Sequence, residues 1–268
     1  MSDAREWDAK LYEGSAPYYR RGRMPYPPEL AEALRVELNL DGSGRLLDVG
    51  CGPGSLALLL APLFAEVVGV DPDPGMIAEA GREAIAEGVT HVRWVQMPAE
   101  ALPGELGSFQ VATFAQSFHW MDRKSVAVAV REMLQPEGSS VHVAATTHKG
   151  VTDAGALAYP QPPREEIEEL IHAYLGGSRR ANPSGEEEVM TAAGFSGPRR
   201  LTVPAHAHER SEDDVVASVF SLSWAAPHLF GDRIDEFEAA LRAVLRQVSA
   251  EGRFAEQARE IDLAIWSA

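Results

Sequence analysis

An apolar run that ends in a carboxylate and breaks on three glycines, LLDVGCGPG at 46–54, leaves this chain few ways to fold. The five residues from Arg45 to Val49 suit a short buried strand and are too few for a helix, and glycine stops them. A helix is predicted from about Ser55 to Phe64, so Gly50, Gly52 and Gly54 form a strand-to-helix turn. Glycines there let the backbone approach a ligand, and the N–H groups at the helix start offer donors. The next Val-rich run, VVGVD at 67–71, ends on Asp71, twenty-one residues past Gly50. A carboxylate at that point can accept both hydroxyls of a ribose. A helix N-cap before Pro72 is the alternative reading of Asp71, and its spacing from the glycines favours the ribose. The dinucleotide fingerprint would place its third small residue at Ser55, and Gly54 comes one position early for it.

Strands and helices then alternate. Helices are predicted at Met76 to Glu87 and near Lys124 to Leu134, and strands at about Val92 to Gln96, Phe109 to Phe114 and Ser139 to Ala145. Strands apolar enough to be covered on both faces, each followed by a helix, predict a doubly wound parallel α/β sheet. Before the first strand, residues 1–28 combine Trp7, Tyr12, Tyr18, Tyr19 and Tyr26 with Arg20, Arg21 and Arg23, and close on prolines. Such a segment has no core of its own and reads as a flap over the rest, followed by a helix from Pro28 to about Leu38. In the second half, helices fit Arg164 to Leu175, Glu186 to Ala193, Asp213 to Ser223 and Arg233 to Val248. Strands fit Leu201 to His208 and the alternating end around Ile261, Leu263 and Ile265. No linker separates these parts, so one domain over 1–268 is expected: flap and helix at 1–40, ligand-binding core at 41–150, completion of the sheet at 151–268.

Composition removes several classes of function. With 268 residues, 45% hydrophobic and 24% charged, the chain has the balance of a soluble globular protein, and its longest apolar stretch cannot span a bilayer. One cysteine excludes an intrachain disulfide and a thiolate metal cluster. The opening MSDAREWDAK has no apolar signal region, which predicts a cytoplasmic address. A net charge of −16 disfavours nucleic acid and anionic membrane, and narrows a small-molecule partner toward a neutral or cationic one.

Five segments, LDVGCGPG at 47–54, VGVDPDPGM at 68–76, MPAEALP at 97–103, FQVATFAQSFHWMD at 109–122 and MLQPEGSSVHV at 133–143, stand in the order found in one family. Together they resemble the class I S-adenosylmethionine-dependent methyltransferases, in particular the type-11-like group acting on small molecules. The resemblance covers roughly the first 150 residues and the remainder by layout. It implies a Rossmann-like, seven-stranded, mostly parallel sheet with an antiparallel last strand. Helical additions at about 211–250 would form a lid. It implies S-adenosyl-L-methionine as cofactor, with Gly50, Gly52 and Gly54 around its methionine part and Asp48 supporting them. Asp71 would hold the ribose, Pro72 and Met76 would pack near the adenine, and Ala99 and Glu100 would meet its edge. The family often has an acidic residue before that Ala, whereas this chain has Pro98. Gln116 would serve the amino-acid end.

The implied reaction is methyl transfer to a small molecule, in secondary metabolism, in which alignment and exclusion of water matter most. Tyr18, Tyr19 and Trp120 can enclose a sulfonium or simply fill the core. His119, after the fourth strand, is a candidate general base, or else orients its loop beside Phe118 and Trp120. His148 and Trp224 are candidate substrate contacts, with Pro227, His228 and Phe230 beside the latter; these residues equally suit a helix interface. Arg20 and Arg21 read as a solvated face, while Arg23, with Tyr18, reads as a cofactor contact. His206 and His208 share a strand face without a carboxylate or cysteine close in sequence, so no metal site is expected. An NAD-dependent oxidoreductase and a non-catalytic S-adenosylmethionine-binding regulator are the competing functions.

Overall fold

In a computed structural model describing residues 10–152, 155–176 and 184–268, neighbouring bulky residues of the first strands are buried on opposite faces. Trp7 lies outside the described residues. The first half runs α1 (Ala16–Gly22), α2 (Pro28–Glu37), β1 (Arg45–Val49), α3 (Ser55–Leu60), β2 (Glu66–Asp71), α4 (Pro74–Glu87), β3 (Val92–Gln96), β4 (Phe109–Ala115), α5 (Arg123–Met133) and β5 (Leu134–Ala144). The second half runs α6 (Arg164–Leu175), α7 (Glu186–Ala192), β6 (Ser196–Val203), β7 (Ala207–Ser211), α8 (Glu212–Phe220), α9 (Pro227–Phe230), α10 (Ile234–Val248), β8 (Arg253–Gln257) and β9 (Ile261–Ser267).

Seven strands form one sheet in the order β3-β2-β1-β4-β5-β9-β6. The pairings among β1 to β5 are parallel, and β9 runs antiparallel to both of its neighbours. Side chains alternate across a strand, so Leu46, Val67 and Val111 pack under α2 and α3 while Leu47, Val68 and Ala112 pack under α5. This is the doubly wound sheet expected from the sequence. The order reverses between β1 and β4, and the two chains leaving those strands diverge to opposite faces. A crevice opens there at the carboxyl ends.

Local chemistry sets where the elements stop. α3 ends at Leu60 and tightens into a single turn over Ala61–Leu63, because Pro62 has no N–H and its ring crowds the carbonyl four residues back. At α4, the Asp73 carboxylate accepts the N–H groups of Gly75 and Met76 at 2.7 and 3.0 Å, which fixes Met76 at the crevice mouth.

Two features depart from the sequence expectation. The predicted strand from Leu201 to His208 is two strands: β6 stops at Val203 before Pro204, and β7 pairs with β8 in a separate ribbon. The aromatic opening segment contains the short helix α1. That helix is fastened to α8 by Arg21, which bonds Asp214 at 2.8 Å and Asp213 at 3.1 Å, and to α4 by Arg20 with Glu83 and Glu87. α6, α8, α9 and α10 close their own core around Phe220, Phe230 and Phe237.

The seam between α1 and α8 is backbone against backbone. A methyl group on Gly22 would land on the Ala217 carbonyl and 2.6 Å from the Ser218 nitrogen. Gly22→Ala is expected to cost about 2 kcal/mol, the usual range for overpacking. Urea unfolding of the variant against the parent measures it, and an unchanged midpoint would contradict so tight a seam.

Candidate functional site

The turn after β1 is shaped by hydrogen bonds to β2. The N–H groups of Gly50 and Cys51 both donate to the Val70 carbonyl, at 2.8 and 3.0 Å. Gly50 has φ +70, and a Cβ there would lie 2.5 Å from that of Ser117, so the loops after β1 and β4 touch. Ser117 ties the same corner, its hydroxyl donating to the Val49 carbonyl at 2.6 Å. Gly52, with φ +54, faces open space within 4 Å, and its N–H donates to Asp71 Oδ2 at 2.9 Å. The other Asp71 oxygen accepts the Asp73 N–H at 2.9 Å. Burial outweighs both bonds and pushes the Asp71 carboxyl up to about 6.

Asp48 is 1% exposed at the end of β1. Its Oδ1 accepts the Thr113 hydroxyl at 2.6 Å from the neighbouring strand. Its Oδ2 is buried, and no hydrogen bond of normal geometry reaches it among the described residues. Burial pushes this carboxyl up to about 7, with the Thr113 hydroxyl opposing and the Asp71 charge adding to the rise.

Two cavities meet over this turn. The first, about 660 Å³ including its mouth, is lined by Gly50, Gly52, Asp71, Pro72, Met76, Ala99, Glu100, Gln116, Tyr19 and Trp120. Tyr12, Val70, Pro98, Ala115, Ser117 and Met121 complete the wall. The Tyr12 ring packs edge-on against Tyr19 and Trp120 at 6.3 and 6.4 Å, and burial raises its hydroxyl pKa. The second cavity, about 1500 Å³ with its mouth, shares Tyr19, Gly50, Gly52, Ala115 and Gln116 with the first. It adds Asp48, Arg23, Tyr26, Thr147, His208 and Arg210. Gln116 stands at the partition with φ +55, a conformation that costs a branched or bulky side chain energy. Tyr12 and Tyr26 were legible as members of the aromatic segment, whereas nothing in the sequence marks Ser117, Thr147 or Arg210.

Five sequence-predicted residues lie elsewhere. Gly54, φ +81, lines neither cavity; a Cβ there would meet the Trp94 ring at 2.6 Å, so this glycine admits Trp94 rather than a ligand. Tyr18 turns away from the crevice, its ring 5.0 Å from Phe220 in the core of the helical additions. Trp224 packs on that same core. His119 occupies a tight turn over Phe118–Trp120, where successive side chains point in different directions, and Trp120 is the one that faces the cavity. The His119 ring sits 4.8 Å from that of Trp120, so of the two readings of His119 the geometry favours the loop-orienting one. His148 lines neither cavity, and its carbonyl accepts Arg164 Nη2 at 3.0 Å. Arg23 does reach the second cavity, but its Nε and Nη2 donate to Ser221 Oγ and O at 2.8 and 2.7 Å. No group of three or more His, Cys, Asp or Glu among the described residues is placed to hold a metal ion.

A mostly parallel sheet with a carboxylate at the end of β2, a glycine turn after β1 and a crevice at the β1/β4 reversal has the layout in which α/β proteins hold nucleosides. Residues 46–138 match the family described as a methyltransferase domain. The demethylmenaquinone methyltransferase of Thermus thermophilus is 32% identical over 179 residues, which cover 57% of this chain and 74% of that one. An uncharacterized methyltransferase of Mycobacterium tuberculosis is 34% identical over 132 residues, 49% of this chain and 51% of that protein. The chain thus spans about half the length of the mycobacterial relatives it matches. Among solved structures, the [4+2]-cyclase SpnF superposes with a TM-score of 0.54 at 18% identity over 97% of this chain and 94% of that one. The YcgJ protein of Bacillus subtilis gives 0.51 at 18% identity, covering 89% and 97%. These two likenesses show the fold. The chain belongs to the class I S-adenosylmethionine-dependent methyltransferases. No helix among the described residues is long and apolar enough to cross a membrane.

Proposed function

We propose that this protein transfers a methyl group from S-adenosylmethionine to a small-molecule acceptor. The observation that carries the reading is the pairing of Asp71 with Gly52. The carboxylate that faces the first cavity is held by the backbone of a glycine whose own Cβ position is empty space. Asp71, Gly50, Gly52, Pro72, Met76, Ala99 and Glu100 would hold the nucleoside. The Asp71 oxygens keep lone pairs for two ribose hydroxyls after accepting one N–H each. The buried Oδ2 of Asp48, which no hydrogen bond of normal geometry reaches among the described residues, fits the cationic amino-acid end of this cofactor, and Gln116 stands where that end would pass between the cavities.

When bound, S-adenosylmethionine supplies a methyl already activated by the sulfonium charge. The chain then needs to bind, align and keep out water. Tyr19 and Trp120 offer ring faces to a cation, and Tyr12 backs both of them. His119, outside both cavities, is given no proton to move. The net charge of −16 speaks against a polyanionic partner and, taken as a whole, toward a neutral or cationic acceptor. A cytoplasmic setting suits a chain whose single cysteine is free.

Thermal unfolding with added nucleotides tests the reading. At a hundredfold excess over Kd, S-adenosylmethionine and S-adenosylhomocysteine should each raise Tm by about 5 °C, while NAD leaves it unmoved. A shift with NAD alone would favour the oxidoreductase. Turnover with an acceptor would set an enzyme apart from a regulator.

A further inference from the structure

One tryptophan stands behind the glycine turn. Trp94, on β3, is the register partner of Gly69 on β2. A Cβ on Gly69 would fall on Trp94 Cζ3, 2.5 Å from Cε3 and 3.0 Å from Cys51 Sγ. A Cβ on Gly54 would lie 2.6 and 3.1 Å from Cη2 and Cζ2 of the same ring. Two glycines are thus bare for one indole, which crosses β2 at Gly69 and ends against Gly54. Gly69 has no left-handed backbone conformation to explain it, and a glycine inside a strand otherwise rich in Val marks the close approach of another group. The indole keeps this place although its Nε1 is buried with no hydrogen-bond partner among the described residues.

The turn is held differently at its two ends. The N–H groups of Gly50, Cys51 and Gly52 bond to the Val70 carbonyl and the Asp71 carboxylate of β2. At the other end the Gly54 N–H turns back to the Cys51 carbonyl at 3.0 Å, and the Gly54 carbonyl accepts the Leu58 N–H at 2.8 Å in α3. Neither of these two bonds reaches the sheet, and packing on Trp94 joins this end of the turn to β3. A close-packed ring yields little, so its shape decides where Gly54 sits. Gly52, two residues earlier, carries the N–H that anchors Asp71 Oδ2. Trp94 itself lines neither cavity.

We propose that Trp94 is a positioning residue for cofactor binding: its indole fixes the height of Gly54 and thereby holds the Gly52 N–H on Asp71. The proposal rests on the methyl-transfer reading and adds a residue of β3 to a site built on the ends of β1, β2 and β4. Trp94 acts through the turn and touches no ligand.

Trp94→Phe tests it, because a phenyl ring stops short of Gly54. Calorimetry should show S-adenosylhomocysteine binding about tenfold weaker, the worth of one misplaced hydrogen bond. Tm without ligand should stay within about 3 °C of the parent, since the lost contacts are offset by removal of an unpaired buried donor. Cys51, buried in the turn and the single cysteine of the sequence, gives a second readout. Without ligand its thiol should react with a disulfide reagent at least about fivefold faster in the variant than in the parent, as a loosened turn opens more often. Gly69→Ala keeps Trp94 but pushes its ring aside, so it should reproduce both effects, and it carries the test if Trp94→Phe does not fold. The double variant should lose no more affinity than either single one. Affinity within about twofold of the parent would overturn the proposal, as would weaker binding with the Cys51 rate unchanged. A loss of affinity together with a fall in Tm of more than about 10 °C would make Trp94 an ordinary core residue and overturn it too. If the parent protein does not bind S-adenosylhomocysteine, the methyl-transfer reading falls, and the Cys51 rates still tell whether Trp94 holds the turn.

Discussion

Asp71→Asn is expected to weaken S-adenosylhomocysteine binding about a hundredfold, because two ribose hydrogen bonds lose a charged acceptor worth roughly 1.5 kcal/mol each. Asp71 stands at the end of β2 with both oxygens anchored, Oδ2 on Gly52 and Oδ1 on Asp73. Asparagine keeps the shape but presents an amide N–H₂ to one of those backbone donors. The variant therefore loses charge and part of its anchoring together. Calorimetry reads the effect directly. A loss smaller than about threefold would mean that the carboxylate is a turn-former and not the ribose contact, whose hydrogen bonds to a charged group are worth more than that.

Asp48→Asn is expected to stabilise the ligand-free protein by about 4 kcal/mol at pH 8, and by less than about 1 kcal/mol near pH 4. Burial raises the folded carboxyl from 3.8 to about 7. Between those values the native state holds a proton that the unfolded chain has released, so stability falls as pH rises through the window. Asp71, raised to about 6 by its own burial, adds a smaller slope of the same sign. Asparagine removes the Asp48 contribution while its carbonyl oxygen can still accept the Thr113 hydroxyl. Urea unfolding of both proteins at pH 4 and pH 8 measures the difference. A variant less stable than the parent at pH 8 would show that Asp48 is paid for within the fold and is not waiting for a cation. The same substitution should weaken cofactor binding, the usual exchange of stability against function at a strained site.

The sheet was legible because its signals are local. Leu46 to Val49 and Val67 to Val70 are too short and too apolar for anything but buried strands, and Gly50 and Gly52 announce the turn. The place of Asp71, at the end of β2 and beside the glycine turn, was legible from spacing alone. The roles that sequence misassigned depend on direction or on distant partners. Gly54 looks like its neighbours, but its missing Cβ makes room for Trp94, forty residues away. His119 and Trp120 are adjacent, and only the tight turn decides that the tryptophan faces the cavity. Tyr18 and Tyr19 differ in the same way, one on the Phe220 core and the other on the partition. The cluster of Arg164, Arg210 and Glu256 joins α6, β7 and β8 across ninety-two residues, beyond any periodic signal. Pro204 did carry a warning, since a residue without an N–H interrupts a ladder, and β6 ends just before it.

A crystal structure with S-adenosylhomocysteine bound tests the central claim most directly. Both ribose hydroxyls should lie on the Asp71 carboxylate, with the adenine between Met76 and Ala99 and the sulfur beside Tyr19 and Gln116, open toward the second cavity. A nucleoside seated away from Asp71, or a sulfur turned from the shared wall, would contradict it.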